Sequence, residues 1–293
     1  MNRKDRLKKN LPFVLIFLVG LLTFAYPLIS QKYYEIESGS ELVEFKKQTE
    51  DIDKEEVKRR MDLARAYNET LDPSRLSDPF TEKEKAGRAE YARMLEVNEM
   101  LGHVEIPRIG QDLPIYAGTT DEVLEKGCGH LEGTSLPIGG DNTHTVITGH
   151  RGLPNAKLFR NLDQLVEGDV FYIHNIEGTL AYQVDKIQVV DPSDFNPIMV
   201  EKGHDYATLL TCTPYMINSH RLLVRGHRIP YQEAIDDGVA NSKRLAPDFM
   251  QLLLILLPVI AILIIIVIKE RRKRTSLSTE VKNIEESIKT YKK

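Results

Sequence analysis

The sequence predicts a mainly β domain with helices before it and a membrane-spanning helix on either side. Three observations carry this prediction. Residues 102–230 contain short β-rich runs separated by Gly, Pro and Asp, residues 30–101 have apolar residues at helical spacing, and two long runs carry no charge. Six to eight short strands in about 130 residues are typical of a closed or partly closed β-barrel.

The two uncharged runs are LPFVLIFLVGLLTFAYPLI at 11–29 and FMQLLLILLPVIAILIIIVI at 249–268. Each has about the 20 residues that a helix needs to cross a bilayer. The segments 1–10 and 269–293, which lie outside the two runs, are rich in Lys and Arg. The positive-inside rule then places both termini in the cytoplasm and residues of about 30–246 outside, which predicts a multi-pass protein of the cell membrane.

Each run has an alternative interpretation. The first could be a cleaved signal peptide, but it is longer than the usual apolar region of about 7–15 residues and no A-x-A site follows it. The second could be a buried helix of a soluble protein, but such a helix rarely lacks a polar face over its whole length. Residues 231–248 form the linker between the β domain and the second run.

Residues 30–101 are predicted to form amphipathic helices outside the membrane. Pro73 and Pro79 interrupt the pattern in LDPSRLSDPF, so an exposed loop is expected at about 72–82. Helix resumes in TEKEKAGRAEYARMLEVN, which Thr81 could cap. The apolar residues at helical spacing include Leu42, Phe45, Ile52, Val57, Met61 and Leu63.

Within 102–230 the predicted strands are HVEIPRI, LPIYAG, HTVITGH, DVFYIHN, TLAYQVDKIQVV, YATLLTC and RLLVRGHRI. A helix is predicted in KLFRNLDQL, and NIEG is expected to be a hairpin turn between the fourth and fifth strands.

Composition excludes several classes of protein. The net charge of −4 gives no basic excess for binding nucleic acid. Two cysteines are too few for a disulfide-stapled scaffold and lack the spacing of a zinc site, so neither a metal nor a cofactor is implied.

Cys212 ends an apolar strand just before Pro214, and we expect its thiol to be half exposed there. A single cysteine is more often a small buried hydrophobe than a nucleophile. Cys128, in EKGCGHLEGT, is interpreted as that kind of structural thiol. The short connection after Cys212 predicts an antiparallel pair of strands that brings Arg221 beside the thiol, although a solvent-facing cation is the alternative for Arg221.

His150 ends another predicted strand, in HTVITGHRG, where Gly149 and Gly152 allow a turn. An imidazole there could carry the proton that a cysteine nucleophile exchanges with its substrate. His130, His144 and His220 are competitors, and spacing alone does not choose among the four.

The strings TGHRGLP and TLLTCTPYMINSHRLLVRG, with GHLEGTSLPIGGDNTHTVITGH before them, resemble those of the sortases. The similarity covers roughly residues 102–230 and is strongest to class C, the pilin-polymerising branch. It implies an eight-stranded sortase β-barrel. It also implies roles for Cys212 as nucleophile, His150 as catalytic acid and base, and Arg221 as the arginine that stabilises the oxyanion or positions the substrate.

A second resemblance concerns Asp78-Pro79-Phe80, which matches the lid motif of class C sortases. A carboxylate could pair with Arg221 or His150 while the aromatic ring covers the cleft. Without the other motifs, an ordinary Pro-containing loop would be the preferred interpretation.

The expected activity is cleavage of an LPXTG-like sorting signal between Thr and Gly, followed by transfer of the Thr to a lysine of another pilin subunit. The nearest alternative is a housekeeping sortase that transfers proteins to the cell-wall precursor. A cysteine hydrolase and an inactive scaffold that only binds pilins are the alternatives from other classes.

Overall fold

A computed structural model describes residues 3–71 and 92–231, together with five isolated positions between 269 and 284. The predicted lid motif and the predicted second membrane span, 249–268, lie outside the described residues. Helix α1 spans Arg3–Glu50, and within the described residues it is the one helix long and apolar enough to cross a membrane.

Eight strands form a closed barrel, as the resemblance implied. Around the barrel the order is β1-β2-β3-β4-β7-β8-β6-β5, and β5 pairs with β1 to close it. The pairs β2–β3 and β4–β7 are parallel and the others are antiparallel. The strands are β1 Met100–Ile106, β2 Gln111–Ala117, β3 Cys128–His130, β4 Thr143–Thr148, β5 Val170–His174, β6 Thr179–Val190, β7 Asp205–Thr213 and β8 His220–Ile229.

The seven predicted strands are all present, and β3 is the strand that the sequence analysis missed. It has three residues, too few to show an alternating pattern. Its central Gly129 lies so close to the backbone of Gly118 that a Cβ would meet the carbonyl oxygen at 2.2 Å. A residue with a Cβ would not fit here, so the strand requires glycine at position 129. Sequence patterns associate glycine with loops rather than with strands.

The helix predicted in KLFRNLDQL is wrong. The segment contains turns and a single 3-10 turn at Leu162–Gln164. Leu158 has a φ of 37°, which a helical residue does not adopt. The backbone N–H of Phe159 donates instead to the carbonyl of His150 at 3.1 Å, so a tertiary contact overrides the local helical pattern.

Two helices precede the barrel. A short break after α1 leads to α2, Lys54–Glu69, where the carboxylate of Asp53 caps the helix by accepting from the N–H of Glu55 at 3.0 Å. Phe45 of α1 and Met61 of α2 are buried in the main core, as the helical spacing predicted. Leu63 is exposed, contrary to the prediction. Of the helix expected to resume after the lid, the described part, 92–98, contains turns and an isolated β-bridge from Val97 to Met100 instead of an α-helix.

Strands β4, β7 and β8 carry apolar residues on both faces. Ala207 and Leu209 of β7 point into the main core inside the barrel. Leu210 of β7 and Leu223 of β8 belong to a second cluster on the outer face. Ile198, in the connection between β6 and β7, covers this second cluster. The end of that outer face holds the predicted site residues.

Candidate active site

Cys212 is the second-last residue of β7, between β4 and β8 in the sheet. Because side chains alternate along a strand, its thiol shares the outer face with Leu210. Only 5% of its surface is exposed, so the predicted half-exposed thiol is wrong. Beside it, β8 pairs with β7 as far as Thr213, and the Gly149 backbone continues the β4 side beyond Thr148. A substrate must therefore approach the thiol from the outer face.

Arg221 lies directly opposite Cys212 in the β7–β8 ladder, as the short connection predicted. Directly opposed residues share one face of the sheet, so the guanidinium and the thiol are neighbours. Arg221 is 3% exposed, which excludes the alternative of a solvent-facing cation. Its Nη1 donates to the carbonyls of Asn218 and His220, each at 3.0 Å. The backbone of the β7–β8 connection thus holds the guanidinium in place.

His150 lies at the same height along the sheet as Cys212, on the side of β7 that faces β4 rather than β8. In the parallel β4–β7 pair, Thr148 is the partner of Leu210, and two residues further along each chain lie His150 and Cys212. Two hydrogen bonds extend the pairing beyond the strand. The N–H of Gly149 donates to the carbonyl of Leu210 at 3.1 Å, and the Thr211 hydroxyl donates to the carbonyl of Gly149 at 2.7 Å.

Arg151 is a residue that sequence reasoning missed. Its Nη1 donates to the hydroxyl of Thr213 at 3.0 Å, and its Nη2 lies 2.6 Å from Asp163. The side chain is buried, so it fixes the loop that carries His150 to the end of β7. Its position beside the histidine in TGHRG was the available signal, but nothing in the sequence separates it from a surface arginine.

Two carboxylates act on the His150 imidazole from helix α3, Asp121–Lys126. Partial burial lowers the pKa of His150 below its ordinary value, and the charges of Asp121 and Glu125 act in the opposite direction. A lowered pKa favours the neutral imidazole, so protonated His150 needs a negative partner such as a thiolate.

His130 and His144 are embedded in the fold. The Nε2 of His130 lies 2.7 Å from the carbonyl of Ser135, while His144 uses both ring nitrogens, on Met199 O at 3.0 Å and Thr208 Oγ1 at 2.8 Å. Burial lowers the pKa of each imidazole to about 4. None of these three hydrogen-bond partners lies at the end of β7 that carries Cys212.

His220 is the remaining competitor and opens β8, opposite Thr213. Alternation places its side chain on the face opposite to that of Arg221 and Cys212. It is exposed, and its Nδ1 lies 2.8 Å from the Ser219 hydroxyl. The geometry therefore favours His150 among the four histidines.

Cys128 lies on β3 in the main core and is fully buried. Burial raises the pKa of its thiol. Neither cysteine is in a disulfide.

The connection between β7 and β8 borders the site with apolar side chains. Tyr215, Met216 and Ile217 are all exposed. Met216 also approaches the loop after His150, since a Cβ on Gly152 would lie 3.5 Å from its sulfur. Two loops thus enclose the end of the outer face.

A cavity of about 630 Å³ lies at the other end of β4. It is lined by the last turn of α2, including Arg65 and Asn68, by the loop before Thr143, and by residues 198–200 of the β6–β7 connection. None of the three predicted catalytic side chains lines it.

Among residues 3–71 and 92–231, no group of three or more His, Cys, Asp or Glu is arranged to hold a metal ion. The strand register places a thiol opposite a fixed guanidinium and brings an imidazole to the same level of the sheet. These are the groups that acyl transfer through a thioester uses.

Comparison with known proteins gives matching results at three levels. The family model described as Sortase domain matches residues 104–229. The solved pilus-related sortase C of Group B Streptococcus is 60% identical, with 64% of this chain and 96% of that chain covered and a TM-score of 0.62.

Sortase C-1 of Streptococcus pneumoniae is 57% identical, with 66% of this chain and 99% of that chain covered and a TM-score of 0.64. Sortase A of Bacillus anthracis is 26% identical over 214 residues, which cover 73% of this chain and 90% of that protein. With class C sortases among these structural neighbours, the chain belongs to the sortase family of cysteine transpeptidases.

Proposed function

We propose that this chain polymerises pilins, with Cys212 as nucleophile, His150 as acid and base, and Arg221 as the oxyanion donor. The observation that carries the proposal is the pairing of Cys212 with Arg221 across the β7–β8 ladder, with His150 at the same level on the far side. The identity of 60% to a pilus-related sortase C supports the choice of pilins as substrates.

In the first half-reaction the Cys212 thiolate attacks the Thr carbonyl carbon of an LPXTG-like sorting signal. The C–N bond to Gly then breaks, His150 gives its proton to the leaving amine, and a thioester remains on Cys212. Arg221 stabilises the negative oxygen of the tetrahedral intermediate. Because backbone carbonyls hold its guanidinium in advance, little reorganisation is needed when that charge develops.

In the second half-reaction a lysine amine of another pilin attacks the thioester. His150 accepts the proton that this amine loses, the C–S bond breaks, and an isopeptide bond joins the two subunits. Atoms and charges balance without a cofactor.

The membrane arrangement is part of the proposal. Helix α1 would anchor the chain and hold the barrel outside the cell, and 249–268 would return the chain to the cytoplasm as a second span. An extracellular barrel would face pilins as they leave the membrane.

The lid is also part of the proposal. Asp78 would pair with Arg221 or with protonated His150, and Phe80 would cover the thiol from the outer face, with Pro79 shaping the turn between them. Since the Cys212 side chain lies on that face, a lid there would control access to the thiol.

The test mixes the purified full chain with a backbone pilin whose sorting signal is intact or deleted. We expect a ladder of lysine-linked polymers only with the intact signal, and none with Cys212→Ala. A cell-wall precursor amine, added as a competing acceptor, distinguishes the housekeeping alternative.

Three other outcomes would overturn the proposal. Preferential transfer to the precursor amine would indicate a housekeeping sortase. Release of a free Thr carboxylate would indicate a hydrolase. Binding without cleavage would indicate a scaffold.

A further inference from the structure

A line of apolar side chains on helix α1 faces away from the barrel. Four of them are far more exposed than core residues: Ile29 at 64%, Tyr33 at 66%, Ile36 at 63% and Val43 at 70%. These four residues are called the α1 stripe below. The opposite side of the same helix is buried through Gln31, Ser38 and Phe45, so the stripe lies on the side that the barrel does not cover.

The spacing of the stripe is that of a coiled-coil seam. Successive steps of four, three and seven residues make Ile29, Ile36 and Val43 equivalent d positions, with Tyr33 at an a position. The exposed Ser40 occupies the a position between Ile36 and Val43.

Ile29 is the last residue of the predicted membrane span, and the part of the stripe beyond it, from Tyr33 to Val43, is too narrow to be a lipid-facing surface. Lys32 and Lys46 flank it along one edge, and Glu37 and Glu44 flank it along the other. All four charged residues are exposed. A helix face that binds lipid has a broad apolar sector, whereas a seam with charges on both edges is typical of helix pairing.

We propose that the α1 stripe pairs with the same stripe of a second copy, in a parallel and in-register dimer at the membrane. In a parallel pair the g position of one helix faces the e position five residues later on the other. Lys32, which also pairs with Glu35 of its own helix at 2.9 Å, then faces Glu37 of the second copy, and this contact is repeated by symmetry.

An antiparallel pair would place lysine against lysine and glutamate against glutamate. The charge pattern therefore selects the parallel arrangement. Two copies anchored by the same segment of α1 enter the membrane in the same direction, so the anchor selects that arrangement as well.

The stripe covers only about two heptads, which is short for association of free helices in water. Anchoring both copies in one bilayer raises their effective concentration and compensates for the short seam. The dimer is thus a property of the membrane-bound full chain. Each barrel lies on the far side of its own α1 helix and leaves the two stripes free to meet.

The experiment uses the full chain with Cys212→Ala, reconstituted in phosphatidylglycerol-containing liposomes. Cys128 is buried, so an introduced cysteine is the accessible thiol. Ile36→Cys places a thiol on the seam. Glu35→Cys, at the neighbouring exposed position off the seam, is the matched control. Mild oxidation and a non-reducing gel measure the dimer.

Opposed d positions bring Cβ atoms within disulfide range, so we expect at least about fivefold more disulfide-linked dimer with Ile36→Cys than with Glu35→Cys. Equal yields from the two variants, or no dimer from Ile36→Cys, would overturn the proposal.

The register is tested in the Ile36→Cys background. Lys32→Glu places acidic groups together and should lower the dimer yield, and adding Glu37→Lys should restore it. If the double variant is no better than Lys32→Glu, the parallel register is wrong. The readout does not depend on catalysis, so it is independent of the proposed function.

Discussion

The barrel contains two buried thiols in very different surroundings. Cys128 lies inside, in the main core, where burial raises the pKa of the thiol and no cation lies opposite it in the ladder. Cys212 lies on the outer face, almost as buried, but directly opposite a fixed guanidinium and level with an imidazole. Low exposure alone therefore does not distinguish Cys128 from Cys212, the proposed nucleophile. The charged neighbours and the direction of approach do.

The sharpest test of this comparison removes each thiol in turn. Cys212→Ala and His150→Ala should each lower transpeptidation at least about a thousandfold while the barrel stays folded. Cys128→Ala should keep its activity and lose about 1 kcal/mol of stability, because it leaves a small cavity. Pilin polymerisation and thermal melting measure the two effects. Turnover by Cys212→Ala, or loss of activity in Cys128→Ala alone, would reverse the assignment of the two thiols.

The second test concerns the cation that separates the two thiols. Arg221→Ala should lower the acylation rate by about 10²–10³, the usual cost of losing one oxyanion donor. Arg221→Lys should be nearly as slow, since a compact ammonium cannot reproduce the planar fork held by the carbonyls of Asn218 and His220. Single-turnover acylation measures both variants. A lysine variant close to wild type would mean that charge alone is needed.

The third test uses the pH dependence of stability to examine the two buried imidazoles of His130 and His144. His130 and His144 have pKa values lowered to about 4, so between the ordinary value and about 4 the unfolded chain binds protons that the folded barrel does not. Stability is therefore complete above the ordinary pKa and is lost as the pH falls. At about pH 5 the loss should be about 1–2 kcal/mol for each imidazole.

His150 contributes in the same direction and Asp205, whose pKa burial raises, in the opposite one. Melting temperatures at about pH 7.5 and about pH 5 check the prediction. A melting temperature that does not change between them would show that the interior imidazoles are not held neutral.

The smallest expected effect concerns access to the outer thiol. Asp78→Ala combined with Phe80→Ala would remove the proposed charge pair and aromatic contact of the lid, which should raise the open population about tenfold. Alkylation of Cys212 should accelerate accordingly, while Cys128 stays unreactive in both proteins. The same variant should process short sorting-signal peptides faster and melt slightly lower. Identical alkylation rates in wild type and variant would remove the lid from the proposal.

Local patterns predicted those parts of the fold that local forces determine. The predicted β run TLAYQVDKIQVV matches β6 at both ends, Thr179 and Val190, and the short β7–β8 connection was enough to pair Cys212 with Arg221. Strand β3 has too few residues to show a pattern. The KLFRNLDQL segment does not form the predicted helix because the N–H of Phe159 donates to the carbonyl of His150 instead.

His150 could not be chosen from the residues alone, and it was the resemblance to the sortases that implied it. Its level relative to Cys212 follows from the parallel β4–β7 register, which no turn in the sequence encodes. The low exposure of Arg221 and Cys212 could not be predicted either, because it depends on the tertiary surroundings of the pair rather than on the sequence around each residue.

That parallel pairing also determines when the enzyme becomes active. The Thr211–Gly149 bond joins residues 62 positions apart, and a parallel connection of this kind closes only after the chain between has found its place. Until then His150 and Cys212 lie far apart along an unfolded chain, and the roles proposed for them cannot be combined. On the proposed mechanism, transpeptidation by a newly made chain therefore begins only when its own folding is complete.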